Sequence, residues 1–431
     1  MTRLKQIPHV IFGLLLAASL AAAQQEVVPT PPAQTQAQQQ TQPQEWTLAD
    51  LEEIAVRNHP ALAQAQARVE SARGAWVQAG LLPNPSAGYS GQQLGSRGLA
   101  EQQGVIVEQQ IVRGGKLFWA QQVASQEVAK AEQQWAAMDQ RVRTDVRLAY
   151  YDLLVAQRRL VLTQELVDIG GRGVRTAESL LKGMVVSETD VLQARVEADS
   201  ATLVHSQAKI RETTAWRQLV TVMGHPQLPH KPLAGDLQKL PGEVPFDAAL
   251  ERIITSSPEL AAAHAEVDRA RQAICQEQSR VTPDLFVQGI VQQDQAIRGT
   301  DGAIQVTMPL PLFDRNQGRI QSAYAELTFA QRAVDRLELS LRQKLAAVYE
   351  RYAAARTQYS TYSSRILPNA EKQLQLVTTG FRAGEISYLT LLVSQRTYAQ
   401  TNLAANDAVR DLWAASLEID GLLLRGSLDE K

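Results

Sequence analysis

Cysteine is almost absent from this chain: Cys275 stands alone, so no disulfide can form within it. Excess charge is absent too, because the formal net charge is −2 at pH 7, and bulk electrostatics therefore gives no argument for nucleic acid binding. After Trp46 no apolar run reaches the ~18 residues of a membrane-spanning helix. If the mature chain enters a membrane, it must do so with β-strands.

Chemical motifs are scarce as well. No nucleophile motif, phosphate-binding loop or pair of carboxylates stands out, so the sequence does not predict an enzyme. The six histidines show no ligand spacing with one another or with the cysteine, so neither a metal site nor a cofactor is predicted. His225 and His230 lie in a proline-rich segment, where a solvated loop is the expected setting.

The N-terminus has the layout of a cleavable secretory signal. Arg3 and Lys5 precede an apolar run that closes in three alanines at residues 21–23. We therefore expect residues 1–23 to be a signal peptide. Residues 24–45 are rich in glutamine and proline and have little to bury, which predicts a linker rather than a folded segment.

The rest of the chain has an internal duplication. At one constant offset of 198 residues, identical residues recur in both halves: Pro60 and Pro258, Arg73 and Arg271, Pro85 and Pro283, Gly104 and Gly302. Each half predicts the order helix, helix, strand, strand, helix, helix. We expect a first repeat at residues 46–225, a linker at 226–245, a second repeat at 246–425 and a C-terminal tail at 426–431.

Both repeats predict long helices. Between Lys116 and Val222 there is no proline, and apolar residues from Val142 to Val167 follow coiled-coil spacing. The Gly-Gly-Arg-Gly run at residues 170–173 and the turn at Gly183 are the expected breaks. The spacing fits long coiled-coil helices and an ordinary antiparallel helical bundle equally well.

Each repeat also predicts a β-hairpin, at residues 86–112 and 284–311. In the second hairpin Val287 and Val291 lie on one face, whereas Gln288 lies on the other. The strands approach the ~9–11 residues that a tilted membrane strand needs. Hairpins packed on helices outside a membrane would show the same alternation, so both readings stay open.

A membrane location of these strands would force oligomerisation. Four strands cannot close into a barrel, and an open sheet edge in lipid leaves backbone groups unpaired at several kcal/mol each. Two, three or four copies would give 8, 12 or 16 strands, and the periodicity does not choose among them.

Motifs at the hairpin ends and at one helix turn resemble those of the TolC-type outer-membrane efflux factors. They are Pro-Asn-Pro at residues 83–85, Arg-Gly-Gly-Lys at 113–116, Pro-Leu-Pro-Leu-Phe-Asp-Arg-Asn-Gln-Gly at 309–318 and Gly-Glu-Ile-Ser-Tyr-Leu at 384–389. The resemblance covers the chain from Trp46 to Leu424. The motif at 309–318 is most similar to the heavy-metal branch of that family, which serves cobalt, zinc, cadmium or copper pumps.

The resemblance implies a mainly α fold with a small β part: tandem-duplicated long antiparallel coiled-coil helices, with four strands per chain in a shared trimeric β-barrel. It implies a homotrimer in outer-membrane lipid that extends into the periplasm. A periplasmic adaptor (membrane fusion) protein would join it to an inner-membrane pump, and the channel itself would be a passive duct. The alternative is a periplasmic structural or adaptor-like coiled-coil protein that does not enter a membrane.

Under this resemblance, the turns at residues 182–190 and 380–390 lie at the periplasmic tip. Asp190 matches a tip aspartate of the family, and threefold symmetry would place three such carboxylates around the pore, where they attract cations. Ser187 and Asp190 also have capping-box spacing, which is a role that needs no pore. The other residues predicted at the aperture are Glu188, Phe381, Glu385 and Thr390, the last standing where relatives have an acidic residue.

Glycines and prolines complete the predicted site. Gly183 and Gly384 are expected to have positive φ at the tip turns. Two junctions from strand to helix are predicted, one at Gly114 and Gly115 and one marked by Pro309 and Pro311. Because proline has no N–H to donate, these two prolines are expected to limit the ladder of the last strand.

Overall fold

The computed structural model describes residues 45–94, 100–237, 239–295 and 298–429. The predicted signal peptide at residues 1–23 and the linker up to residue 44 lie outside this part of the chain, as do residues 430 and 431 of the tail. In the described residues, no helix combines the length and the apolar character needed to cross a membrane.

The elements follow one order twice. The first half contains α1 (Leu48–Asn58), α2 (Pro60–Ala79), β1 (Ser86–Leu94), β2 (Ala100–Ile111), α3 (Lys116–Lys182) and α4 (Glu188–Val222). The second contains α5 (Phe246–Ser256), α6 (Pro258–Ser279), β3 (Leu285–Asp294), β4 (Gly299–Thr307), α7 (Gln317–Thr361), a π-helical turn (Tyr362–Ile366), α8 (Leu367–Arg382) and α9 (Tyr388–Asp420). This order confirms the predicted mainly helical, tandem-duplicated fold.

Local sequence explains where the helices begin. The Thr47 hydroxyl accepts the N–H of Asp50 at 3.2 Å, which satisfies one of the free donors at the start of α1. α2 and α6 each begin with proline, whose missing N–H removes no helical bond at that position. His59 Nδ1 caps α2, whereas the hydroxyl of Ser257 caps α6 at the equivalent position.

The predicted break at residues 170–173 is wrong, because α3 runs through them without interruption. A Cβ on Gly170 would lie 3.0 Å from Ala198 Cα, so glycine lets α3 and α4 approach closely. At Gly173 the carbonyl accepts the Tyr388 hydroxyl at 2.8 Å. These contacts with other helices offset the ~1 kcal/mol by which a glycine weakens a helix.

The π-helical turn shifts the register between the repeats. It lies directly before Pro368, which cannot donate a backbone hydrogen bond inside a helix. Before the turn, Tyr150 matches Tyr349 at an offset of 199, and beyond it Ser187 matches Ser387 at an offset of 200. One extra residue in the second repeat therefore realigns the ends of the long helices.

The coiled-coil seam is buried in both repeats. Val142, Val146 and Leu153 of α3 are fully buried, and their equivalents Leu341, Leu345 and Tyr352 of α7 are buried too. Two matched cores form around these residues, one with α1 and α4 and the other with α5, α6 and α9. A third, smaller cluster joins the ends of both long hairpins.

Candidate functional site: a two-faced sheet and two matched turns

The four strands form one antiparallel sheet in the order β1-β2-β3-β4. β2 of the first repeat pairs with β3 of the second, with Gln102 opposite Asp294 at one end and Ile111 opposite Leu285 at the other. In the described chain, β1 and β4 each pair on one side only. The sheet therefore presents two open edges that a further strand could fill.

One face of the sheet is apolar. The register aligns Tyr89, Val105 and Val291 in one row across three strands and places Val107 and Ile304 in the next row on that face. Tyr89 is 70% exposed and Ile304 is 83% exposed, although such side chains are normally covered. The face is suited to a lipid environment.

The opposite face is mainly polar, although Ile106 and Ile290 pair on it. Gln102 donates to Asp294 at 2.8 Å, and Gln288 donates to Glu108 at 3.3 Å. Within the strands Ser86–Leu94, Ala100–Ile111, Leu285–Asp294 and Gly299–Thr307 there is no lysine or arginine, so every charged strand residue is acidic. This alternation is the one that the sequence predicts for the second hairpin.

The strand limits differ from the expected ones. β2 runs from Ala100 to Ile111, so it ends one residue before the predicted end of the first hairpin, and residues 95–99 lie outside the described part of the chain. β4 ends at Thr307, two residues before Pro309. Pro309 and Pro311 therefore lie in the connection to α7, where their missing N–H groups remove no ladder bond.

The junction between β2 and α3 is fixed by an ion pair and two glycines. Gly114 and Gly115 have φ of 70° and 69°. A Cβ on Gly114 would lie 2.7 Å from Thr282 Cβ, so a larger residue is excluded by both φ and space. Lys116 Nζ lies 2.7 Å from Asp284 Oδ1, which also accepts the N–H of Arg113 at 3.0 Å.

The junction between β4 and α7 has other chemistry. Asn316 precedes α7 with φ of 60°, a value that asparagine tolerates better than most residues. Its Nδ2 donates to the Glu277 carbonyl at 2.7 Å. Leu312 and Phe313 are exposed, whereas the first junction is closed by the second repeat.

At the end of α3 the chain makes a Schellman turn. The N–H of Met184 donates to the Leu181 carbonyl and the N–H of Val185 to the Leu180 carbonyl, both at 2.9 Å. Met184 has φ of 56°, whereas Gly183 has φ of −84°, so the expectation of a positive φ at Gly183 is wrong. Gly183 is the C-cap of α3, and the left-handed residue is Met184, which follows it.

The end of α8 repeats this turn. Gly384 donates to the Phe381 carbonyl at 3.0 Å and Glu385 donates to the Gly380 carbonyl at 2.9 Å. Gly384 has the expected positive φ, at 78°. By hydrogen bonding, Gly384 is equivalent to Met184, and Gly183 is equivalent to Ala383.

Both turns lead into a serine cap, but only the cap of the first contains a carboxylate. Ser187 donates through its hydroxyl to Asp190 Oδ2 at 2.7 Å and through its N–H at 2.9 Å. The side-chain bond, followed by the backbone bond, lowers the pKa of Asp190 and keeps it ionised. At the equivalent place in α9, the Thr390 hydroxyl lies 3.0 Å from that of Ser387.

Tyr388 anchors the second turn to the first repeat. Its ring is buried beside Phe381, with ring centroids 5.7 Å apart, and burial raises its pKa to about 12. The negative charge of Asp190 adds to the increase in the pKa of Tyr388. At the equivalent position in the first repeat, Glu188 is exposed, as are Glu385 and Thr390.

The structure thus joins both turns, with Asp190 and Phe381, through one apolar cluster at the ends of the helical hairpins, and adds Tyr388 and Met184, which the sequence did not single out. The serine caps, Ser187 and Ser387, align the two turns at an offset of 200. This alignment sets Met184 opposite Gly384 and Tyr388 opposite Glu188, and it could have identified both residues. Gly114, Gly115, Pro309 and Pro311 lie apart from the turns, beside the sheet.

Beyond these turns, α3, α4 and α9 enclose a groove of about 480 Å³. Glu197 and Arg396 face each other there, with 3.6 Å between their charged atoms. Within the described ranges, no three His, Cys, Asp or Glu side chains are grouped in a way that could hold a metal ion. The geometry is that of a wall with a polar and an apolar side and of a matched pair of turns.

Comparison with known proteins places this geometry in a family. The sequence profile described as "Outer membrane efflux protein" matches twice, at residues 51–225 and 249–423. The cobalt-zinc-cadmium resistance protein CzcC of Cupriavidus metallidurans is 29% identical over 366 residues, which cover 84% of this chain and 86% of CzcC.

Solved structures share the fold. A membrane protein from Pseudomonas aeruginosa superposes with a TM-score of 0.74 at 18% identity, over 87% of this chain and 92% of that one. The outer membrane protein VceC from Vibrio cholerae gives a TM-score of 0.71 at 18% identity, over 88% of this chain and 96% of VceC. Since the profile covers well over half of the chain, this protein belongs to the outer membrane efflux protein family and is an outer-membrane channel component of tripartite efflux that extends into the periplasm.

Proposed function

We propose that three copies of this chain close into a passive exit duct for metal cations, joined through a periplasmic adaptor to an inner-membrane pump. The sheet is the observation that carries the proposal. Its apolar face holds exposed Tyr89 and Ile304, and its polar face holds Glu108 and Asp294. A wall with these two faces separates lipid from a water-filled lumen.

The open edges of the sheet support closure by further copies. β4 of one copy can pair with β1 of the next, as β2 pairs with β3 inside the chain. Unpaired backbone groups in lipid are unfavourable by several kcal/mol each, so the edges would otherwise prevent insertion. The number three comes from the family, and it makes a barrel of twelve strands.

The tip turns support docking of an adaptor. Met184 is 94% exposed, as are Val185, which follows it, and Leu389 at the start of α9, at 69% and 55%. Exposed apolar side chains on two adjacent turns are typical of a surface that another protein covers. Gly183 and Gly384 would shape this surface, and Glu188 and Glu385 would add charge at its rim. Energy for transport would be supplied at the pump, because channels of this family are non-enzymatic transport components.

Metal cations are the proposed cargo on two grounds. CzcC is a cobalt-zinc-cadmium resistance protein by name, and it is similar over most of both chains. The charged strand residues on the polar face, Glu108, Asp294 and Asp301, are all acidic, and Asp190 is held ionised by its serine cap. Three copies would line the path with carboxylates, which attract cations and repel anions.

A deletion strain of the source bacterium tests the proposal. Loss of the gene should lower the tolerated concentration of cobalt, zinc, cadmium or copper several-fold, and a plasmid copy should restore it. Outer-membrane fractions should contain trimers that dissociate on heating.

Two results would contradict parts of the proposal separately. Unchanged metal tolerance together with lost tolerance of organic toxins would remove the metal cargo and keep the duct. Recovery of the mature protein as a water-soluble monomer from the periplasm would remove the duct.

A further inference from the structure

The joint between the two repeats inside one chain is ionic. Lys130 of α3 lies 2.8 Å from Glu266 of α6, and Glu127 of α3 lies 3.1 Å from Arg269 of α6. A third pair joins Arg141 of α3 to Glu259 of α6. Half-buried positions strengthen such pairs relative to those on an open surface.

The duplication identifies the surfaces that would form the same joint between copies. Along the long helices α7 corresponds to α3 at an offset of 199, and α2 corresponds to α6 at an offset of 198. α3 contacts α2 on one side and α6 on the other. α7 contacts α6 on the side that is equivalent to the α2 side of α3. On its other side, where α3 contacts α6, α7 contacts no helix among the described residues. A ring of copies would place α2 of the next chain there.

The offsets predict which residues meet at that position. Phe329 replaces Lys130, and Arg68 replaces Glu266. The other two ion pairs also disappear, because Ser71 replaces Arg269 and Ala61 replaces Glu259. A joint built like the one inside the chain would therefore set an aromatic ring against a guanidinium group.

Both residues are unpartnered in the single chain. Phe329 is 74% exposed, which is unusual for a phenylalanine. Arg68 is exposed and makes no ion pair with any described residue. A guanidinium over an aromatic face is a favourable cation–π contact, and it does not require a neutralising carboxylate.

We propose that α7 of one copy packs on α2 of the next in the arrangement of α3 on α6, with Arg68 of the second copy stacked on Phe329. This rests on the proposed closed oligomer, of which it names one contact. The two kinds of joint then differ in chemistry: the joint inside a chain is ionic, and the joint between chains is cation–π.

Charge exchange tests this contact. Phe329→Lys places two positive charges together, and Arg68→Glu removes the cation from the ring, so each should lower the temperature at which trimers dissociate on semi-native gels. The double variant Phe329→Lys with Arg68→Glu rebuilds the Lys–Glu pair found inside the chain, and it should recover most of the loss. Circular dichroism of each variant checks that the helices are intact.

Leu339→Lys is the matched control. Leu339 is also an exposed apolar residue of α7, at 67%, but it lies on another side of the helix. Its replacement should leave the dissociation temperature unchanged.

Additive losses in the double variant, or an equal loss in Leu339→Lys, would overturn the contact while the wild-type trimer still stands. Absence of any wild-type trimer would instead overturn the proposed duct.

Discussion

The two turns at the tip share a backbone and differ in side chains. Both end a helix with the same pair of hydrogen bonds, and both begin the next helix with a serine cap. The first turn has Met184 in the left-handed position and Asp190 in the cap, whereas the second has Gly384 and Thr390 there. Local hydrogen bonds therefore fix the turn, and the side chains are free to specialise.

The specialisation divides two tasks between the repeats. The second turn is anchored, because Tyr388 is buried and its hydroxyl reaches Gly173 of the first repeat. The first turn holds Glu188 at that position, where the side chain is exposed, and its Asp190 is kept ionised by the bonds of the serine cap. The second turn is thus anchored through Tyr388, and the first has a carboxylate in its cap.

Removal of the anchor should have the largest effect. Tyr388→Ala empties a buried aromatic site, a change that typically destabilises by about 3–5 kcal/mol. We expect faster hydrogen exchange of residues 374–394, measured by mass spectrometry. Tyr388→Phe, which loses only the bond to Gly173, should show about 1 kcal/mol. Glu188→Ala is the control, and an effect as large as that of Tyr388→Ala would show that the turns are not specialised.

An exchange of the left-handed residues should have the next largest effect. Gly384→Met introduces a side chain at φ of 78° and should destabilise the turn by about 1–2 kcal/mol. Met184→Gly should stabilise the first turn, because it removes the same strain. Local hydrogen exchange measures both effects. Gly183→Ala is the control, since Gly183 has an ordinary φ and a Cβ there would have its nearest neighbour at 3.6 Å.

Loss of the charge on the first turn should alter permeation more than stability. Asp190→Asn weakens the capping box by about 1 kcal/mol or less. If three Asp190 carboxylates surround the pore, the reversal potential of channels in planar bilayers under a salt gradient should shift towards lower cation selectivity. Thr390→Asp adds the carboxylate to the second turn and should shift it the other way. Unchanged selectivity and gating in both variants would leave Asp190 with the capping role alone.

The caps of α2 and α6 predict the smallest effect, a difference in pH dependence. Burial lowers the pKa of His59, and Asp145 partly offsets this, whereas Ser257 does not titrate. The unfolded histidine has a pKa of about 6.5, whereas the folded protein holds His59 neutral to a lower pH. The folded protein therefore loses stability as the pH falls below about 6.5. His59→Ser should flatten the decline in melting temperature between about pH 7 and pH 5. Parallel curves for the variant and the wild type would contradict this.

Much of the fold follows from local pattern. The capping residues Thr47 and Ser187, the prolines at the starts of α2 and α6, and the alternation of Val287 and Gln288 each act over a few residues. Such signals depend on backbone geometry and side-chain period, so they can be identified without distant contacts. The same holds for Asp190, whose capping partner is three residues away.

Other features depended on residues far along the chain. The glycine run at residues 170–173 predicts a break, and only contacts with Ala198 and Tyr388 keep it helical. The equivalence of Gly384 to Met184 rather than to Gly183 depends on the hydrogen bonds of the two turns, which the positions of the glycines in the sequence do not show.

The sequence by itself therefore determined the duplication, the long helices and the two faces of each strand, because these arise from spacing along the chain. Only the tertiary structure decided that the second repeat anchors the tip through Tyr388, that Lys116 pairs with Asp284, and that β1 and β4 are left as open edges. Each of these joins residues from different parts of the chain or leaves an edge without a partner. The free energy of these contacts comes from burial and hydrogen bonding between separate elements, and a local sequence pattern does not show which elements will meet.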